Sequence, residues 1–294
     1  MARPAESSPE NVPGDLFVDS SCIACDTCRR VAPGLFGGGE DEPAFVARQP
    51  VTALEDRRAL MALVACPVSA IGSRTRRGPD IARAARAFPD PVPGVPGLYH
   101  CGYAARSSFG ASSWLLVREG GNVLVDSPRF ALPLVLGLRA LGGVRFHFLT
   151  HRDDVADHAR LHEALGGERI LHEDDLTPAT SGVERLIRGE RPVALAADLL
   201  VLPLPGHTRG SAALLARGEL LFSGDHLWGD ASGHLDASRE VCWYDYREQT
   251  RSMERLCAHP FRAVFPGHGR PFLSPSAALA RAELEALVAR MRRS

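Results

Sequence analysis

Three cysteines at two-residue spacing constrain this chain more than any other feature of its sequence. The run Cys22-Ile-Ala-Cys25-Asp-Thr-Cys28 is joined further along by Cys66-Pro67, so four of the seven cysteines lie in the first quarter of the 294 residues. Two-residue spacers allow consecutive sulfur atoms to turn toward one compact centre. In a reducing compartment, clustered cysteines are more often metal ligands than a disulfide framework. The motif therefore predicts one cysteine-built site near the N-terminus.

Four thiolates form the ligand set of an iron-sulfur cube, and we predict one [4Fe-4S] cluster on these four cysteines. The pattern resembles that of the bacterial ferredoxins over about residues 14–71. In two-cluster members of that family the triplet continues to a further Cys-Pro, but Ala32 stands at that position here, which implies a single cluster. A structural zinc site is the competing interpretation, although its usual arrangement is two Cys-x-x-Cys pairs.

The length and composition predict two domains. With 45% apolar residues, the 294-residue chain can bury about two conventional cores. We place a ferredoxin-like domain at residues 14–72, a proline-rich linker at 73–96 and a second domain at 97–294. Short apolar runs alternate with helical patterns in the second domain, so we predict an α+β fold.

Histidines and aspartates form a second constellation. All eleven histidines lie in the predicted second domain, and several follow strand-like runs beside glycine, which lets the backbone turn sharply around a metal. Imidazoles and carboxylates that converge from several loops are what a binuclear metal site requires. The candidate metal ligands are His151, Asp153, Asp157, His158, His207, Asp225 and His268.

These segments resemble the ligand motifs of the metallo-β-lactamase fold superfamily. Its ligand order is a His-x-His-x-Asp-His loop, a later His, a bridging Asp and a final His, and His207, Asp225 and His268 match the last three in order. The resemblance implies an αββα sandwich with metal ligands on loops at one edge of the sheets. It also implies that Asp225 bridges two metal ions and that Asp126 is a structural carboxylate.

The first motif departs from the family's pattern, because Asp153 stands where the second His is expected. In one alignment, two extra residues precede Asp157-His158. That alignment gives the first metal His151, Asp153 and His207, and the second metal Asp157, His158 and His268. The other alignment keeps the family's spacing, so that Val155 and Ala156 occupy ligand positions. We favour the first, because buried Asp and His side chains are costly without partners.

The carboxylate at position 153 bears on the metal. Oxygen ligands suit iron or manganese somewhat better than an all-imidazole set does, although zinc also accepts Asp. The flavodiiron proteins of the same superfamily likewise carry a carboxylate at this point. We therefore expect two divalent metal ions, either zinc or iron.

Two functions fit these ligands. In a hydrolase, two metals lower the pKa of a bridging water, and hydroxide attacks an ester, amide, thioester or phosphoester. Asp157, Asp225 and His226 are then the candidate catalytic residues. In the alternative, a redox enzyme, the same ligands hold a di-iron site that receives electrons from the cluster.

Charge and hydropathy limit the classes of partner that we expect for this protein. A net charge of -1 lacks the basic excess that nucleic-acid and membrane-surface binders need. No run approaches the roughly 18 apolar residues of a membrane span, and residues 1–15 lack the pattern of a signal peptide. We expect a cytoplasmic protein with a small-molecule substrate and no nucleic-acid or membrane partner. The predicted cluster is also compatible with a redox partner protein.

Overall fold

The computed structural model describes residues 2–39, 41–75 and 77–293, so Arg76 in the predicted linker and Ser294 at the end of the predicted second domain lie outside it. The chain divides into two compact units. The first comprises Met1–Asn122, Ser127–Val144 and Ala156–Gly166, and the second comprises Val123–Asp126, Arg145–Val155 and Gly167–Ser294.

Among its described residues, the first unit carries five α-helices and seven short strands. Strands β1 and β4 pair antiparallel, as do β2 with β3, while β5, β6 and β7 form an antiparallel ladder. The elements are β1 (Leu16–Val18), α1 (Thr27–Val31), β2 (Phe36–Gly37), β3 (Phe45–Val46), α2 (Ala53–Ala65), β4 (Ile71–Ser73), α3 (Gly78–Ala85), β5 (Asp90–Pro91), β6 (Leu98–His100), β7 (Trp114–Leu116), α4 (Leu132–Ala140) and α5 (His158–Leu165).

Helix α2 places one of the predicted cluster ligands. It begins with a capping box, in which the Thr52 side chain accepts a hydrogen bond from Glu55 N and the Glu55 carboxylate accepts one from Thr52 N. The helix ends at Ala65, directly before Cys66-Pro67, because a residue that precedes proline disfavours the helical conformation. Cys66 therefore lies directly after the C-terminal end of α2. The packing of the buried face of α2 determines where Cys66 lies.

The described part of the second unit contains a parallel group of strands, a larger mostly antiparallel sheet and two α-helices. Strands β8 to β11 run parallel, and β12 to β15 with β18 and β19 form a six-stranded sheet that is antiparallel except between β15 and β18. The elements are β8 (Val123–Val125), β9 (Phe146–Phe148), β10 (Glu168–His172), β11 (Arg185–Ile187), β12 (Val193–Ala196), β13 (Leu199–Pro203), β14 (Ala212–Ala216), β15 (Leu220–Gly224), β16 (Trp228–Gly229), β17 (Leu235–Asp236), α6 (Tyr246–Leu256), β18 (Ala263–Pro266), β19 (Phe272–Leu273) and α7 (Ala277–Met291).

The core of the second unit lies between the six-stranded sheet and helices α6 and α7. Leu202 and Val264 from the sheet pack with Met253 of α6 and Leu284 and Leu287 of α7. Strands β14 and β15 are buried along their whole length, as expected of continuous apolar runs covered on both faces. No helix in the described part of the chain is long and apolar enough to cross a membrane.

Candidate metal centres

The four motif cysteines line one pocket in the first unit. Cys28 and Cys66 are buried, and Cys22 and Cys25 are half-buried. Burial raises the pKa of the Cys28 and Cys66 thiols, so a bound cation would favour their ionised, ligating form. A cavity lined by four thiols and mostly apolar side chains fits an iron-sulfur cluster.

Backbone geometry turns the thiols inward. Ala24 and Asp26, which lie between the cysteines of the triplet, adopt left-handed φ angles of 59° and 60°. Ala44 N donates a hydrogen bond to Cys22 Sγ at 3.3 Å, and Ala70 N donates one to Cys66 Sγ at 3.3 Å. Such hydrogen bonds to sulfur stabilise its negative charge and tune a cluster's reduction potential.

Gly110, which sequence reasoning missed, packs against the same site. A Cβ atom at this position would lie 2.6 Å from Cys25 Cβ and 2.9 Å from Cys25 Sγ. Its carbonyl oxygen accepts hydrogen bonds from Thr27 Oγ1 at 3.1 Å and Arg30 Nη2 at 3.0 Å. A residue far from the cysteine motif therefore completes the wall beside Cys25, and no local pattern pointed to it.

The second unit brings five of the predicted ligands together. Ligand atoms of His151, Asp153 and His207 all lie within 4.8 Å of one another. Asp225 Oδ2 lies 3.7 Å from Nε2 of His151, 3.9 Å from Nε2 of His207 and 3.7 Å from Nε2 of His268. One carboxylate oxygen is thus surrounded by three imidazoles.

Asp154, which was not among the predicted ligands, joins this group. Its ligand atom lies within 4.8 Å of those of His151 and Asp225, and its Oδ1 is 4.0 Å from His268 Nε2. A Cβ at Gly267 would lie 2.5 Å from Asp154 Oδ2 and 2.6 Å from Asp225 Oδ1. Glycine leaves room there for both carboxylates, and the Asp153-Asp154 doublet was the available signal.

Asp157 and His158 belong to the first unit. Asp157 Oδ2 accepts a hydrogen bond from Phe130 N at 2.7 Å and lies 3.9 Å from Arg160 Nη1. His158 is the first residue of α5 and is buried. The ligand sets assembled in the second unit consist of other residues.

Several polar atoms of the second unit's site are buried. Among the described residues, His151 Nε2, His207 Nε2 and Asp225 Oδ1 have no hydrogen-bond partner. Burial lowers the pKa of His207 to about 4, so its imidazole is neutral and able to coordinate a cation. Burial opposes the ionisation of Asp225, but the imidazoles of His268, His151 and His207 bring its pKa below the usual value. Buried imidazole nitrogens without hydrogen-bond partners beside a carboxylate fit a metal centre.

Asp126 orients one of the imidazoles. It adopts a left-handed φ of 54°, and its Oδ1 accepts hydrogen bonds from Thr150 N at 2.8 Å and Thr150 Oγ1 at 2.9 Å. Thr150 Oγ1 in turn lies 2.9 Å from His151 Nδ1. This chain of contacts positions the His151 ring, as supporting hydrogen bonds commonly do for metal-binding histidines.

Asp175 ties two ligand loops together and was also missed from the sequence. Its Oδ2 accepts hydrogen bonds from Arg152 N at 3.0 Å and Thr208 Oγ1 at 2.6 Å, and its Oδ1 accepts one from Gly210 N at 2.9 Å. The loops that carry His151 and His207 therefore share one buried carboxylate.

His226 follows Asp225 and is buried. Neither of its ring nitrogens has a hydrogen-bond partner within residues 2–39, 41–75 and 77–293. Its carbonyl oxygen accepts a hydrogen bond from Gln249 Nε2 at 2.9 Å. Burial lowers the pKa of His226 to about 3, so the ring is neutral at physiological pH.

Comparison with known proteins agrees with this architecture. The family of the 4Fe-4S single cluster domain of Ferredoxin I matches residues 18–73. The hydroxyacylglutathione hydrolase of Stenotrophomonas maltophilia (strain R551-3) is 31% identical over 196 residues, which cover 60% of this chain and 71% of that protein. The enzyme of the same name from Xanthomonas axonopodis pv. citri (strain 306) is 30% identical over 183 residues, which cover 59% and 70%.

A solved structure supports the same fold. The BLEG-1 B3 metallo-beta-lactamase superposes with a TM-score of 0.51 at 17% identity, covering 65% of this chain and 99% of that one. The chain is thus a ferredoxin-type iron-sulfur domain fused to a hydrolase of the metallo-β-lactamase fold. Within that fold it belongs to the family of the hydroxyacylglutathione hydrolases. The predicted resemblance, the α+β fold and the hydrolase class are confirmed.

Proposed function

We propose that the second unit holds a binuclear metal centre that hydrolyses an acyl thioester. The observation that carries the proposal is the position of Asp225 Oδ2, which lies 3.7 to 3.9 Å from the Nε2 atoms of His151, His207 and His268. The name hydroxyacylglutathione hydrolase, given to the relatives, denotes release of an acyl group from a thiol. The chain spans about 70% of those relatives, which supports the same bond type here.

The donor atoms suit zinc or iron, since both accept imidazole and carboxylate ligands. His151, Asp153 and His207 would hold one ion, and Asp225 would bridge it to the other. The proximity of Asp154 to His268 and Asp225 supports these three as the second set. Asp157 and His158 remain ligands proposed from the motif alone, and separate variants distinguish the two sets.

When bound, two divalent ions would supply a water of lowered pKa and polarise the scissile carbonyl. The chain's own residues orient and support this chemistry. Asp126, through Thr150, positions the His151 ring, and Asp175 holds the turn after His207. In the balanced reaction, water adds to the carbonyl carbon, the C–S bond breaks, and the thiol leaves with a proton.

Two predicted catalytic residues have separate roles in this proposal. Asp225 is the shared carboxylate at the centre of the three imidazoles. His226 enters the reaction as a neutral imidazole, because burial lowers its pKa to about 3, and its N–H would hydrogen-bond the departing sulfur. The assignment of Asp157 as a proton acceptor comes from its motif position and stays a proposal.

The test uses anaerobically purified full-length protein. We expect the protein to hydrolyse acetyl and phenylacetyl thioesters, measured as the amount of free thiol released. His207→Ala should lose both metal and activity. Leu279→Ala, an exposed substitution on α7, serves as the control. Unchanged metal content in both His207→Ala and His268→Ala would contradict the binuclear centre.

A di-iron redox centre is the second candidate function. Three carboxylates, from Asp153, Asp154 and Asp225, would contribute to the ligand sets, and the fused ferredoxin domain offers an electron carrier. Metal analysis of a Cys22→Ser, Cys25→Ser double variant isolates the second centre. Iron there that is reduced through the cluster in the unmodified protein supports redox chemistry, while zinc with thioesterase turnover supports hydrolysis.

The remaining predictions concern the location of the protein in the cell and its binding partners. A cytoplasmic location and a redox partner for the cluster follow from the sequence and stay proposals, as does the exclusion of nucleic acid.

A further inference from the structure

Residues 241–245, named here the aromatic segment, expose apolar surface beside the candidate metal centre. Val241 is 39% exposed, Trp243 is 63% exposed and Tyr244 is 52% exposed. Large apolar side chains normally pack inside, and a contiguous exposed group of them marks a surface that binds something. Three such side chains within five consecutive residues require an explanation other than packing.

The backbone of the aromatic segment is fastened to a metal-binding turn. Trp243 N and Tyr244 N both donate hydrogen bonds to the carbonyl oxygen of His207, at 2.9 and 3.0 Å, and Asp245 N donates one to Gly206 O at 3.0 Å. These hydrogen bonds fix the position and direction of the aromatic segment relative to the turn that carries His207, a proposed metal ligand.

The end of the segment is also anchored by a helix. The Asp245 side chain accepts hydrogen bonds from Arg247 N at 2.8 Å and Glu248 N at 3.0 Å, which caps α6. Cys242 Sγ donates a further hydrogen bond to Gly206 O at 3.1 Å. The exposed side chains thus project from a held backbone, as a preformed binding surface requires.

Trp243 reaches the metal site itself. Its ring lies edge-on to the His207 imidazole, with centroids 6.3 Å apart and an interplanar angle of 63°. His207 Nε2 is 3.9 Å from Asp225 Oδ2. The Trp243 ring therefore lies beside the imidazole of a proposed metal ligand, and the exposed Tyr244 follows it directly in the chain.

We propose that Trp243 and Tyr244 form an apolar subsite that selects thioesters with an aromatic or bulky hydrocarbon group beside the scissile bond. This inference rests on the proposed thioesterase function. Continuity of the aromatic segment with His207 favours a substrate group over a protein partner as the occupant. Aromatic side chains suit such a group, because they offer a large rigid apolar face.

The first experiment compares phenylacetyl and acetyl esters of one thiol. In Trp243→Ala we expect kcat/KM for the phenylacetyl thioester to fall by roughly tenfold, mainly through KM, as expected for loss of an apolar contact. The acetyl thioester should change by less than about twofold. Trp243→Phe should retain most of the kcat/KM that Trp243→Ala loses, and Leu279→Ala should change kcat/KM for neither substrate. An equal fall for both substrates, or no fall, overturns the subsite.

The second experiment does not depend on turnover. We expect phenylacetate, the product, to quench tryptophan fluorescence saturably in the full-length protein, whereas acetate does not. The effect should disappear in Trp243→Phe. Saturable quenching without hydrolysis would support the subsite and contradict the thioesterase function. Hydrolysis without quenching, or quenching that persists in Trp243→Phe, would contradict the subsite and leave the function standing.

Discussion

At the scale of single residues, Asp175 shows how one buried carboxylate can position two metal-binding loops. It lies in the 3-10 turn Glu173–Asp175 and accepts hydrogen bonds from Arg152 N, Thr208 Oγ1 and Gly210 N. Its role depends on contacts with residues 23 and 35 positions away. No motif in the sequence marks such a residue, although it touches neighbours of both His151 and His207.

Asp175→Asn should weaken metal binding. The amide keeps the size of the side chain but loses its charge and one accepting oxygen, so at least one buried donor loses its partner. We expect roughly a 10- to 100-fold loss of metal affinity, typical of supporting residues around metal ligands, measured by competition with a chelator. Asp174→Asn is the control, since the Asp174 side chain is 37% exposed. Equal affinity in the two variants would show that Asp175 does not position the ligands.

A pair of aspartate variants separates the two proposed ligand sets. Asp154→Ala should lose one of the two metal ions, because its carboxylate lies near His268 and Asp225. Asp157→Ala should keep both, because the Asp157 carboxylate accepts a hydrogen bond from Phe130 N. Metal content per protein chain measures both outcomes. The reverse pattern would establish the ligand set proposed from the motif.

At the scale of elements, the ends of strands place the candidate ligands of the second unit. His151 follows β9, His207 follows β13, and Asp225 directly follows β15, while His268 comes two residues after β18. The strands are buried and mostly apolar, so an unpaired polar group within them would be costly. Polar ligands therefore appear where each strand gives way to a loop, which is why apolar runs in the sequence located most of them.

A substitution at Gly110 tests how the segment around this residue packs against the cluster motif. Gly110→Ala should reduce iron and acid-labile sulfide per chain, because the new Cβ would crowd Cys25 and Thr27. We expect about 1–3 kcal/mol of overpacking beyond the strain of a positive φ.

Gly94→Ala is a matched control for this variant. Gly94 has a φ of +77° beside +87° at Gly110, but a Cβ there would meet no described atom within 4 Å. The control should share the backbone strain and keep its iron and sulfide. Equal losses in both variants would attribute the effect to strain alone.

At the scale of the whole molecule, the compact units do not follow a simple division of the chain. The first unit contains the residues around the cysteine motif and also residues 127–144 and 156–166. Arg129 helps to explain this, since its Nη2 donates a hydrogen bond to Val64 O at 2.6 Å and its Nη1 donates one to Ala104 O at 3.0 Å. A side chain from beyond the predicted linker thus joins the end of α2, two residues before Cys66.

The two metal centres should be separable. Cys66→Ala should remove the brown colour and the iron-sulfur content of anaerobically purified protein, because a fourth thiolate is lost. The metal of the second unit should remain, since its candidate ligands are histidines and aspartates. Cys257→Ala, a half-buried cysteine outside the motif, is the control and should stay brown. A colourless unmodified protein that contains only zinc would contradict the cluster.

The sequence alone determined the kinds of centre in this protein. Cysteine spacing predicted an iron-sulfur domain, and the order of His207, Asp225 and His268 predicted the metallo-β-lactamase fold, because both signals consist of residue types at short spacing or in fixed order. Only the tertiary structure brought Asp154 beside His268, Gly110 against Cys25 and Asp175 between two ligand loops. These contacts join residues distant in the chain, and their energies depend on packing that local patterns do not encode.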